Sequence, residues 1–268
     1  MTTQTRRLRS IRRRMTFAAF DRLPRRVGWK YEYYDGTATV APARVFVPYE
    51  IDLAEPTAGE NSAIRRVTTD DVTVLRFAFA EAFRSAPEYA DRTYAQYLAE
   101  VEKYFHEYFN AIRGSQSAAS CLAVQDRQVV GAALLVHNKK GAVLDCLFVR
   151  PAFARGGWAT ALVRHAAATL SQSGVTRLRS YAMQANEPSV HWHERFGFRE
   201  LPDMYVARHR FRYYRDEWER HQRRGDLSDE DLAKIEAARD YWDRESDRLR
   251  EECFQEYRKN KTPAESTR

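Results

Sequence analysis

The sequence predicts an α/β fold: a mixed, mostly antiparallel sheet flanked by helices, with a β hairpin before it and a charged helical extension after it. Two patterns carry that prediction. Three apolar segments, residues 121–125, 129–137 and 143–149, are separated only by the turn residues Asp126-Arg127 and 138–141, as in an antiparallel meander. The third segment then empties through Pro151 into Gly156-Gly157, and from Trp158 to Leu170 the apolar residues recur at helical spacing.

The remaining elements follow in chain order. Residues 29–34 and 37–40 alternate aromatic or β-branched residues with polar ones around Asp35-Gly36, a strong two-residue hairpin signal. Residues 44–53 offer a third strand broken at Pro48, and 54–62 (AEPTAGENS) have linker composition, so the main domain is expected to begin near Ala63. There, 63–67 reads as a strand, Thr69 or Asp70 as the cap of a helix through Phe83, and Pro87 as its break. Tyr94, Tyr97, Leu98, Val101, Tyr104, Phe105, Tyr108, Phe109 and Ile112 then share one face of a second helix, read as core. After the meander and the glycine-led helix come a strand at 177–184, a helix at 188–196 opened by proline, and a last strand at 205–213. In the tail, Ser228 and Asp231 form a capping box, and Ile235, Trp242 and Leu249 give one thin apolar stripe. Such a stripe is expected to pack on its own chain or on a second copy, as in a homodimer, with 263–268 disordered.

The domain organisation expected from this pass is a basic, disordered arm at 1–28, a hairpin appendage and linker at 29–62, the main domain at 63–213 and the helical extension at 214–268.

Charge locates the arm. The 268-residue chain carries a net charge of +7, yet its first thirty residues hold ten basic side chains against Asp21 alone, so the rest is slightly acidic. The arm reads as disordered or as an upstream extension ahead of Met15. A nucleic-acid or ribosome contact and a targeting segment are the rival readings. Hydrophobic residues at 44% allow a real core, and no apolar run approaches the ~20 residues of a membrane helix, so a soluble protein is expected. Three widely spaced cysteines fit reduced thiols of a cytoplasmic protein, with no metal site.

The glycine pair is where chemistry enters. Unpaired N–H groups at the start of the 158–170 helix and the positive end of its dipole form an anion cradle, and phosphate is the usual guest. No GxSxG, GxxxxGK[ST] or paired Cys/His spacing competes with it.

The strand ending in Val149-x-Pro151, the glycine loop, Asn186 and the closing HERFGF of residues 193–198 together resemble the GNAT superfamily of acyl-CoA-dependent N-acetyltransferases, over about residues 63–213. The resemblance implies a GNAT-like fold and acetyl-CoA as co-substrate. It maps the diphosphate loop onto Arg155, Gly156, Gly157, Trp158, Ala159 and Thr160, and it assigns Asn186 to the cofactor site. It also implies that Leu147, Phe148 and Val149 pair with the pantetheine amides where two strands splay apart. Ala154 departs from the family's Gln or Arg, and Arg155 next to it offers a charge instead. His193 stands where the family usually has a tyrosine as acid for the departing thiol; an imidazole there can serve as acid or as base, or simply pack or cap at the helix end, and its tautomer and partner decide which. Expelling a bare thiolate at pH 7 is unfavourable by about 2 kcal/mol. A lysine-type acceptor must lose a proton at about 4.6 kcal/mol and an α-amine at only about 1 kcal/mol, so a base is needed for the first and optional for the second, and Asp145 is the expected one. Glu81, Glu88 and Asp91, around the break between the first two helices, are expected at the acceptor. The expected reaction is therefore acetyl transfer to a primary amine, small molecule or protein. The rivals are a catalytically weak acyl-CoA-binding module and an adaptor working on ribosomal protein or tRNA through the arm.

Overall fold

The computed structural model describes residues 10–53 and 62–261. In chain order its elements are β1 (Ile11–Arg14), α1 (Phe17–Asp21), β2 (Trp29–Tyr34), β3 (Thr37–Pro42), β4 (Phe46–Asp52), β5 (Ile64–Arg66), α2 (Val72–Phe83), α3 (Tyr94–Phe109), β6 (Ser115–Gln116), β7 (Cys121–Gln125) and β8 (Gln128–Asn138). They continue with β9 (Gly141–Val149), α4 (Trp158–Gln172), β10 (Arg177–Met183), α5 (Glu187–Phe196), β11 (Arg199–Glu200), α6 (Met204–Arg224) and α7 (Asp229–Lys261). The chain divides into two compact units, one running from Pro48 to Glu200 and the other joining Ile11–Val47 to Leu201 and the residues after it.

In the first unit, seven strands form a continuous path in the order β11-β4-β10-β9-β8-β7-β5, with β6 beside β8. The β5, β7, β8, β9 run is antiparallel, as expected, and its β7–β8 turn places Asp126 and Arg127 at φ 50° and 61°. The β9–β10 pair is parallel. One face of the sheet packs against α2 and α3, where Leu75, Phe79, Tyr97, Val101, Phe105 and Tyr108 meet Leu122, Ala132, Leu134 and Phe148. The aromatic stripe read from α3 is thus core at Tyr97, Val101, Phe105 and Tyr108, while Tyr94 and Ile112 stay exposed. Across the sheet, α4 buries Leu162, Val163, Ala166 and Leu170, and Cys121 reaches the Leu162 carbonyl. The cap ahead of α2 falls one residue earlier than expected: Thr68 and Asp71 form the capping box of a 3-10 turn, Thr69–Asp71, that leads into α2, with Arg65 bonded to both oxygens of Asp71.

Three expectations are corrected. Residues 46–52 run unbroken through Pro48 and enter the large sheet between β11 and β10 instead of extending the hairpin. On its β11 side Pro48 has no partner to supply, because β11 is two residues long and pairs only with Tyr49 and Glu50. Residues 205–213 form no strand; they lie in α6, whose first turn is capped by Asp203 accepting from the Val206 N–H at 2.9 Å. The arm is ordered from Ile11: β1 pairs with β3 in register Ile11↔Val40, and Tyr33 donates to the Met15 carbonyl. Residues 1–9, the linker at 54–61 and the end at 262–268 lie outside the described residues.

In the second unit, β1-β3-β2 form an antiparallel sheet whose Asp35-Gly36 turn has φ 44° and 68°, the left-handed pair a tight hairpin needs. The tail is an antiparallel helical hairpin: Arg239 lies over Trp218 and Arg210 over Trp242, and Ser228 caps α7 at the Asp231 N–H. The thin stripe of α7 therefore finds its partner in α6. Among the described residues no helix is long and apolar enough to cross a membrane.

Candidate functional site

The β9–β10 ladder is the frame of the site. Its register covers Ala142, Val143 and Leu144 against Leu178, Arg179 and Ser180, and pairing stops there. On its other side β9 continues along β8 as far as Gly131↔Val149. Beyond Leu144, therefore, the β10-facing edge of Leu147, Phe148 and Val149 is an open strand edge at a fork. Opposite Leu134 and Leu135, β9 carries one residue too many, because Leu134 faces Cys146 and Leu135 faces Leu144. The extra residue is Asp145. Such a bulge increases the twist and turns the strand away from its neighbour, which is the local reason the fork opens. It also breaks the simple alternation that sequence reading assumes for Asp145.

Past β9 the chain makes a short 3-10 turn at Pro151–Phe153 and then turns sharply, with Arg155 at φ 65° and Gly157 at φ 77°. Gly157 takes this conformation without strain; Arg155, which has a Cβ, does not. The first bond of α4 runs from the Ala161 N–H to the Gly157 carbonyl. Among the described residues the amides of Arg155, Gly156, Gly157, Trp158, Ala159 and Thr160 have no backbone acceptor, and the loop is exposed from Ala154 to Gly157. Alternating left-handed residues point successive N–H groups toward one side, and the α4 dipole adds positive potential there. A Cβ on Gly156 would meet the Trp158 ring at 3.0 Å, so the indole covers that glycine closely.

His193 and Asp145 are both engaged. The His193 ring is buried, stacked on Tyr49 of β4 at 4.7 Å. Its Nδ1 lies 2.8 Å from the Ser189 carbonyl, which can only accept, so Nδ1 carries the proton. Nε2, 2.9 Å from Ser180 Oγ, accepts the hydroxyl proton. Burial pushes the imidazole below its ordinary value, against the pull of the Ser189 carbonyl, and keeps it neutral at pH 7. The expected donation to a departing thiol has no free N–H on this ring to draw on. Asp145 accepts from Arg113 through both oxygens, at 2.8 and 3.0 Å, and from the Tyr104 hydroxyl at 2.8 Å. Both oxygens already accept from these donors, so the carboxylate expected as base anchors a cluster.

Asn186 caps α5, accepting from the Ser189 N–H, and donates Nδ2 to Glu88 Oε1 at 2.8 Å. The three carboxylates expected near the acceptor separate. Glu81 is exposed and pairs with Arg150; Asp91 is exposed and pairs with Arg92. Glu88 alone of the three turns inward, and burial pushes its carboxyl up although the Asn186 bond works the other way. Among the described residues there is no cluster of metal ligands.

Sequence reading missed Ser180, Arg113 and Tyr49. Ser180 had a signal, a small polar residue at an inward position of the apolar strand Arg177–Met183. Arg113 lies just past α3, and Tyr49 is 144 residues from its stacking partner, so neither had one.

Residues 77–198 match the model of the acetyltransferase (GNAT) family. None of the curated proteins matches the sequence. Solved structures similar to this chain include a GCN5-related N-acetyltransferase from Sphaerobacter thermophilus, 19% identical over 58% of this chain and 48% of that one, with a TM-score of 0.40. A PaiA N-acetyltransferase from Thermoplasma acidophilum in complex with coenzyme A is 16% identical over 51% of this chain and 88% of that one, TM-score 0.42. An aminoglycoside 6'-N-acetyltransferase from Acinetobacter haemolyticus is 20% identical over 52% of this chain and 92% of that one, TM-score 0.38. The chain spans about half the length of the first of these.

Proposed function

We propose, from the match of residues 77–198 to the acetyltransferase (GNAT) family model, that the protein transfers an acetyl group from acetyl-CoA to a primary amine. The observation that carries the reading is the run of amides from Arg155 to Thr160, without a backbone acceptor among the described residues, beside the open edge of β9. The amides and the α4 dipole hold the diphosphate, and the guanidinium of Arg155 adds a charge at the exposed loop. Leu147, Phe148 and Val149 offer main-chain groups to the amides of the pantetheine arm, as an added strand would. That path brings the thioester to the fork at Leu144 and Ser180. His193 and Asp145 serve as positioning residues: the first holds the Ser180 hydroxyl at the fork, the second fixes Arg113 and Tyr104 against the bulge.

Calorimetric titration with CoA and with pantetheine tests the cradle. CoA is expected to bind at least tenfold more tightly, because only CoA carries the diphosphate; equal affinities would sink the reading. Release of free thiol from acetyl-CoA in the presence of a panel of primary amines then tests turnover. A second reading, an acyl-CoA-binding module without transfer, is favoured by the engagement of both His193 and Asp145, and tight CoA binding with no amine-dependent thiol release would establish it.

A further inference from the structure

The three-stranded sheet of the second unit has a covered face and an open one. On the covered face Trp29, Ala38 and Val40 are buried, and the ring of Tyr33 lies against Phe17 and Phe20 of α1. Successive residues of a strand point to opposite faces, so the alternate positions share the open face, and the register sets them in rows. Arg14, Thr37 and Tyr34 form one row, and Arg12, Thr39 and Glu32 form the next. Tyr34 is 85% exposed, and its ring has no partner among the described residues. Arg12 and Arg14 are exposed and have no carboxylate partner among the described residues, although Arg25, Arg220, Arg224, Arg239 and Arg248 of the same unit each have one. The acids of the open face lie at its other side: Glu32 is paired with Lys30 at 3.0 Å, and Asp35 occupies the turn after β2. Positive potential therefore falls from β1 to β2, and residues 1–9, which lead into β1, bring Arg6, Arg7 and Arg9 and no acid.

We propose that this face binds single-stranded nucleic acid, with the sugar–phosphate chain along β1, where Arg12 and Arg14 take successive phosphates, and a base reaching across to stack on Tyr34. Two residues along a strand set the guanidinium stems about 6.6 Å apart, within reach of neighbouring phosphates of an extended chain, and each guanidinium can hold a phosphate through two parallel hydrogen bonds. Between β1 and Tyr34 stand only the small side chains of Thr37 and Thr39, so a flat base meets no obstacle on the way. The carboxylates on the β2 side repel phosphate and fix which way the chain lies. A duplex fits poorly, because its bases are already stacked and a ring such as Tyr34 takes a base only when it is free. A lipid surface fits poorly as well, since beside the arginines the rows offer one aromatic ring and no aliphatic side chain to bury. The proposal is independent of acetyl transfer.

Fluorescence anisotropy of the full chain with a labelled oligoadenylate RNA about a dozen nucleotides long tests it, with a duplex of the same length, polyglutamate and phosphatidylserine vesicles as competitors, over a series of salt concentrations. The single strand is expected to bind at least fivefold more tightly than the duplex. Tyr34→Ala, which removes a ring that touches nothing, should weaken binding at least fivefold, the lower end of what one base–aromatic stack is worth, and leave the salt dependence unchanged. Arg12→Gln with Arg14→Gln should flatten the log–log salt slope by about 1.4, about 0.7 for each phosphate contact on a single strand. The control is Arg66→Gln with Arg127→Gln, two exposed arginines of the first unit without a partner among the described residues. It removes the same charge and should stay within twofold of the parent. No binding of the single strand at low salt, a Tyr34→Ala protein that binds as the parent does, or a control that loses as much as the β1 variant would each overturn the proposal. So would displacement of the RNA by the duplex, polyglutamate or the vesicles at lower concentration than by unlabelled single strand. Circular dichroism checks the sheet in each variant. If glutamine in β1 loosens that strand, Tyr34→Ala alone decides.

Discussion

Replacing His193 by phenylalanine separates a proton donor from a structural ring. Phenylalanine keeps the volume and the stack on Tyr49, so the perturbation is confined to two hydrogen bonds, Nδ1–H to the Ser189 carbonyl and Ser180 Oγ–H to Nε2. Ser180 retains only a 3.5 Å contact to the Leu144 carbonyl. At about 1 kcal/mol net per bond, and more where a buried group is left without a partner, the variant should be less stable by about 2–3 kcal/mol at pH 7.5. The pH dependence has a definite sign. Burial lowers the folded-state value of His193 below its ordinary 6.5, so the unfolded chain binds the extra proton first. The contribution of the neutral ring is complete above pH 6.5. It is lost as pH falls from there toward the folded value, at no more than about 1.4 kcal/mol per pH unit. Phenylalanine has no such loss, and His209, also lowered by burial, is common to both proteins and cancels. Urea unfolding of both proteins at pH 7.5, 6.0 and 5.0 should therefore show the gap narrowing on acidification. A gap that stays constant or widens would refute the neutral, buried ring. A thousandfold loss of transfer in a folded, CoA-binding His193→Phe protein would restore it as the acid.

Gly131→Ala would put a Cβ 2.3 Å from the Phe148 carbonyl oxygen and 2.9 Å from Val149 Cα, forcing β8 from β9 beneath the open edge; a loss of about 1–3 kcal/mol by urea unfolding and a fall in CoA affinity are expected, and unchanged values would argue against this register. Gly157→Ala meets no atom within 4 Å but must adopt φ 77°, so about 1 kcal/mol of strain and a weakening of CoA binding of up to tenfold are expected by calorimetry. In the second unit, Glu217 is buried against Arg25, Arg220 and His221, and Glu217→Ala leaves two guanidinium groups facing each other; thermal unfolding should show about 3–5 kcal/mol lost, and a change under 1 kcal/mol would mean the cluster is solvated.

Short-range features were legible in the sequence because their causes are local. The Asp35-Gly36 turn, the Asp126-Arg127 turn and the strand that passes through glycines into α4 each depend on a few adjacent backbone angles, and the structure has them where the residues imply. The misreadings have longer-range causes. Tyr205, Ala207, His209, Phe211 and Tyr213 alternate like a strand, but the buried positions of α6 are Val206, Ala207, Glu217 and Arg220, a helical set selected by packing and by the Asp203 cap. At the site, the loop amides could be read from two glycines and a helix start. The engagement of Asp145 could not, because the bulge that turns it depends on the register against β8 and its donors come from α3 and the residues after it.

The sequence by itself determined the parts whose physics is contained in a few neighbouring residues: the meander, the hairpin, the Ser228 cap and the glycine turn ahead of α4. The tertiary structure alone decided that residues 46–52 complete the large sheet, that His193 meets Tyr49 and Ser180, and that Glu88 accepts from Asn186, 98 residues away. The reason is that desolvation and hydrogen-bond partnership, which set what a carboxylate or an imidazole can do, are properties of the surroundings that distant segments supply and not of the residue.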